Sequence, residues 1–97
     1  MKENDFLGTE DFDAESWIRV VKSLFLQQNY QKAIDSCRMA LSMSPHCEQL
    51  WLELGNLFSH LKKFDEAKLA YLEGLKINPK DETIRKNLNL LNGLELN

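Results

Sequence analysis

The sequence predicts an all-α chain, a solenoid of antiparallel helix pairs with five helices. Three observations carry that expectation. From Trp17 onward apolar residues recur at helical rather than alternating spacing. Residues 50–79, LWLELGNLFSHLKKFDEAKLAYLEGLKINP, restate a looser pattern that lies 34 residues earlier, and a third copy begins after them and stops half way. Pro45 and Pro79, one in each complete copy, stand where the pattern ends, because proline cannot continue the helical hydrogen-bond ladder.

Residues 1–13 come first. They lack a helical period, contain Gly8 and are rich in acidic and small polar residues, so they read as a flexible arm. Two Asp-Phe pairs, Asp5-Phe6 and Asp11-Phe12, interrupt the arm. Phe12 reads as a staple-like contact on the first helix; alternatively Phe6, Leu7 and Phe12 form an acidic linear motif that docks in a groove of this chain or of a partner.

Asp13 or Ser16 can cap a first helix over about residues 15–28, with Trp17, Val20, Val21, Leu24 and Phe25 on its apolar face. Asn29 offers a second cap, and Tyr30, Ala33, Ile34, Cys37, Ala40 and Leu41 give a second stripe that ends before Pro45. So short a connection makes the two helices an antiparallel hairpin. Adding 34 takes Trp17 to Trp51, Val20 to Leu54, Leu24 to Phe58, Tyr30 to Phe64, Ala33 to Ala67, Ala40 to Gly74, Leu41 to Leu75 and Pro45 to Pro79. Helices over about residues 48–61 and 65–77 follow. Asp81 then caps a fifth helix with Ile84, Leu88 and Leu91 on one stripe and Arg85, Lys86, Asn87, Asn89 and Asn92 elsewhere, the composition of a terminal capping helix. The expected organisation is an arm at 1–13, repeats at 14–47 and 48–81, a cap at 82–93 and a tail at 94–97.

Charge and composition narrow the function. Residues 1–15 hold one lysine against six acidic residues, while the rest carries a net charge of +2. Without a concentrated basic face, nucleic acid is not an expected partner. No apolar run nears the roughly 20 residues needed to span a bilayer, and the acidic start is unlike a secretory signal, so the expected site is the cytoplasm with no membrane association. Cys37 and Cys47 are too few for a disulfide framework. His46, Cys47 and His60 have the wrong spacing for a zinc site, so no metal is expected. The scattered glycines form no phosphate loop, and no nucleophile-base constellation is visible, so neither a cofactor nor an enzyme activity is expected.

Trp51, Leu54-Gly55, Phe58, Ala67, Tyr71 and Pro79 resemble the 34-residue pattern of the tetratricopeptide repeat, and the resemblance extends from Ala14 to about Asn92. It implies a right-handed superhelical stack whose first helices line a concave face. Gly55 in mid-helix costs about 1 kcal/mol relative to alanine, which calls for a packing reason. The first unit departs from the pattern with Val21 there and Cys37 where the second has Tyr71, a pair of changes that reads as compensating.

On the implied concave face the candidate partner-binding residues are Ile18, Arg19, Lys22, Phe25, Leu52, Glu53, Asn56, His60 and Lys86. A mixed face of this kind suits a peptide or helix of another protein, apolar anchors giving affinity and charges setting register. Leu26 and Leu52 read equally as packing between adjacent first helices. A second expectation is a self-assembling unit, a homodimer or part of a longer array, using Leu90, Leu94 and Leu96. Members of the family that grip the acidic C-terminal tails of heat-shock proteins use a lysine, asparagine and arginine clamp. Ile18, Lys22, Glu53, Thr83 and Asn87 stand at the positions compared, and Glu53 would repel such a tail, so these tails are not expected partners.

Overall fold

The computed structural model describes residues 13–96. Residues 1–12 of the expected arm, and the side chains of Leu94 and Leu96, lie outside the described residues. Five helices follow in order: α1 (Ala14–Leu26), α2 (Tyr30–Met43), α3 (Glu48–His60), α4 (Phe64–Ile77) and α5 (Glu82–Leu96). Asp13 caps α1, its carboxylate accepting from the Ser16 backbone N–H at 2.9 Å, and Asp81 caps α5 by accepting from Ile84 at 3.0 Å. Asn29 occupies the cap position of α2 without a side-chain capping bond. Helix α5 runs past Gly93, the expected end of the cap; that glycine has no positive φ and therefore does not turn the chain out of the helix.

The two hairpin turns are built alike. Asn29 N–H donates to Leu24 O and Gln28 N–H to Phe25 O, both at 2.9 Å; in the second turn Lys63 donates to Phe58 at 2.8 Å and Lys62 to Ser59 at 3.0 Å. These are the paired bonds of a Schellman motif, and each places a non-glycine residue in the left-handed region, Gln28 at φ 62° and Lys62 at φ 63°.

The helices stack in two layers. Helices α1, α3 and α5 pack side by side in one, whereas α2 and α4 in the other stand further apart. The closer spacing of the first layer makes its outer surface the concave one. Between the layers runs a single core that includes Ile34, Leu50, Leu57, Tyr71, Ile84 and Leu91. Small residues set its spacing. Ala33 and Ala67 are fully buried, and a Cβ on Gly74 would stand 2.7 Å from Ile84 of α5 and 3.4 Å from Trp51 Cβ. Asn78 closes the second unit, donating to the Glu48 carboxylate at 2.7 Å and so joining the end of α4 to the start of α3.

Candidate functional site

The concave layer carries two adjoining hollows. One, of about 270 Å³, is lined by Val21, Lys22, Phe25 and Leu26 of α1 and Glu53, Asn56 and Leu57 of α3. The other, of about 330 Å³, is lined by Phe25, Asn56, Ser59, His60, Tyr71, Asn87, Leu90 and Leu91. Phe25 and Asn56 belong to both, so they form one groove across α1, α3 and α5. Leu26, 81% exposed, and Leu90, 63% exposed, stand at its two sides.

Its polar groups are already arranged. Asn56 Oδ1 accepts from the Tyr71 hydroxyl at 2.6 Å and from Asn87 Nδ2 at 3.0 Å. Burial first of all pushes the Tyr71 phenol up to about 12, the nearby Glu53 charge acting the same way and the Asn87 hydrogen bond opposing both. At the far end His60 Nε2 lies 3.0 Å from the Tyr30 hydroxyl, and the Phe25 ring meets His60 and Tyr30 edge-on at 5.0 and 5.5 Å. Lys22 Nζ stands 3.7 Å from Glu53 Oε2, which also accepts from Gln49 Nε2 at 3.1 Å.

Of the expected residues, Lys22, Phe25, Glu53, Asn56 and His60 meet in this groove, while Ile18 lines neither hollow and is half-buried against the core. Three others do not join them. Leu52 is only 7% exposed and belongs to the core. It shares one repeat position with Ile18 and Lys86, and the difference between them follows from neighbours: among the described residues, α3 is enclosed by helices on both sides, α1 and α5 on one. Lys86 lines a further depression on α5, with Glu82, Thr83, Arg85, Asn89 and Leu90, which meets the groove at Leu90. Arg19 shares its position with Glu53 and Asn87, which both look back toward the preceding unit, Glu53 to Lys22 and Asn87 to Asn56. Among the described residues nothing precedes α1, and Arg19 lies on that outer side with Ser16, Val20, Ser23 and Leu24.

Sequence reasoning set Asn87 on this face but missed its bond to Asn56, and it missed the part Tyr71 and Tyr30 play here. The available signal was that a tyrosine buried on an apolar stripe needs a hydroxyl partner. Neither cysteine joins the groove. Cys37 is fully buried, its Sγ donates to Leu50 O at 3.2 Å, and burial, with the Glu53 and Cys47 charges, pushes its thiol up to about 12, which leaves it unreactive. Among the described residues no group of three or more histidine, cysteine or acidic side chains could hold a metal ion, and no helix is long and apolar enough to cross a membrane.

Comparison with known proteins agrees with this geometry. The human protein O-mannosyl-transferase TMTC1 is 29% identical over 86 residues, covering 79% of this chain. The chain spans about a tenth of that protein, 10% of its length. The family model of the tetratricopeptide repeat matches residues 24–88, from the last turn of α1 into α5. With two complete helix pairs, the 34-residue offset between them and a fifth helix sealing the second, the chain belongs to the tetratricopeptide repeat family.

Proposed function

We propose that the chain is a non-enzymatic interaction module, an adaptor or scaffold whose concave groove binds a peptide or helix of another protein. Repeats of this family generally mediate protein–protein interaction. The observation that carries the reading is the continuous groove itself. Exposed Leu26 and Leu90 flank a floor on which Asn56 and Asn87 present amide groups, the mixture of apolar anchors and fixed polar groups that orients a bound segment. The O-mannosyl transferase activity named for the human relative is not proposed for this chain, which matches only 10% of that protein. Acidic heat-shock-protein tails are not proposed ligands either, since the one lysine on the groove, Lys22, faces the Glu53 carboxylate. The free thiols Cys37 and Cys47 suit the reducing cytoplasm.

Affinity capture with the full chain, followed by mass spectrometry and a binding titration of the recovered partner, tests the proposal. Leu26→Asp should weaken the partner by at least about tenfold, roughly 1.4 kcal/mol. Leu69→Asp serves as control, because Leu69 is 64% exposed on α4, in the other layer. Equal loss from both, or loss from Leu69→Asp alone, would place the binding face elsewhere.

A further inference from the structure

The two hollows of the groove differ in what lines them. Between α1 and α3 the buried side chains are Val21 and Leu57, both apolar, whereas between α3 and α5 the hollow reaches Tyr71 of α4, in the other layer. Beside the Tyr71 hydroxyl stand the half-buried Asn56 and Asn87, joined by the 3.0 Å bond from Asn87 Nδ2 to Asn56 Oδ1. A buried phenol needs an acceptor, which turns the Asn56 oxygen toward Tyr71 at 2.6 Å. That oxygen has two lone pairs, and the Tyr71 and Asn87 donors fill both. Among the described residues, Asn56 Nδ2 and Asn87 Oδ1 have no hydrogen-bond partner. Each is attached to the same carbon as an atom of the short bond, so the hollow offers one donor and one acceptor close together.

The complement is a group with an acceptor and a donor on one edge. A carboxylate brings acceptors alone and would set an oxygen against the Asn87 oxygen; an ammonium brings donors alone and would meet the Asn56 N–H groups. Apart from His60, the side chains lining this hollow are neutral, so a buried charge would go unpaired. A main-chain peptide group has both functions, but it is trans, with its N–H and C=O pointing to opposite sides. The primary carboxamide of a side chain carries C=O and N–H along one planar edge. Phe25, Leu90 and Leu91 line the same hollow and would cover its methylene stem, which is longer in glutamine than in asparagine.

We propose that the hollow between α3 and α5 is a subsite for a glutamine side chain of the bound segment, Asn56 donating to its carbonyl oxygen and Asn87 accepting from its amide. This rests on the groove being the docking surface, as proposed above, and it adds the residue type that the surface selects.

The test is selection of random peptides, displayed on phage, against the full chain. Peptides whose binding falls with Leu26→Asp should share a glutamine at one position. Replacing that glutamine by glutamate or leucine in a selected peptide should weaken binding at least about tenfold, because the Asn56 and Asn87 groups are left unpaired. Against Asn87→Ala, which keeps the bond between Tyr71 and Asn56, the same replacement should cost much less, since the two losses are coupled. Groove-binding peptides with no common glutamine, or a glutamine whose replacement costs nothing, would overturn the subsite and leave the interaction function standing. So would a peptide that Asn87→Ala weakens equally with leucine and with glutamine, since the amides would then be reading main chain. If no selected peptide responds to Leu26→Asp, the docking surface itself fails and the subsite with it.

Discussion

Gly55 sits buried in the middle of α3 against the ring of Tyr71, and a Cβ added there would fall inside the contact distance of three ring carbons. The ring cannot swing away freely, because its hydroxyl is held by Asn56 at 2.6 Å. Gly55→Ala should therefore destabilise the fold by about 1–3 kcal/mol, although alanine alone would add about 1 kcal/mol of helix propensity. Urea denaturation checks the sign. Combining it with Tyr71→Cys, the residue type the first unit carries at that repeat position, where Val21 replaces Gly55, should give a double-mutant coupling of about 1 kcal/mol or more. The packing reason for Gly55 was legible in the sequence because a mid-helix glycine is costly. The burial of Leu52 was one of two equal readings, since Ile18, Leu52 and Lys86 occupy one repeat position and differ in the neighbours that enclose them.

At the scale of elements, all five helices were legible, for their apolar periods, the carboxylate caps at Asp13 and Asp81 and the two prolines are local signals. The left-handed residues were hidden. Glycine would have announced the turns, but Gln28 and Lys62 occupy them at φ 62° and 63°. A left-handed conformation costs an L-residue about 1–2 kcal/mol, while glycine loses about 0.4–1 kcal/mol more backbone freedom on folding. Gln28→Gly and Lys62→Gly should each raise stability by about 0.5–1 kcal/mol. Thermal unfolding of the single variants reads this, and a lower midpoint for either would contradict it.

For the whole molecule, the two buried acids make stability depend on alkali. Burial raises Tyr71 from 10.0 to about 12 and Cys37 from 9.0 to about 12, so between those limits the folded chain holds protons that the unfolded chain has released. Their contribution is complete below pH 9 and is lost as pH rises toward 12. Urea midpoints measured at pH 8, 10 and 11 should fall in that order, and Tyr71→Phe should shrink the fall above pH 10. The two-layer stack was legible from the 34-residue offset, but the line of the groove was not, because it depends on which helices have a neighbour on each side.

The matched Schellman turns make the molecule its own reference sample. Gln28 and Lys62 have the same backbone geometry, and the same glycine substitution at each leaves the chemistry of the change nearly constant. What differs is placement: among the described residues, one turn belongs to a unit packed on one neighbouring unit, the other to a unit packed between that one and α5. The difference between the two measured effects is thus a reading of how strongly adjacent repeats are coupled, obtained within one protein and without building longer or shorter arrays.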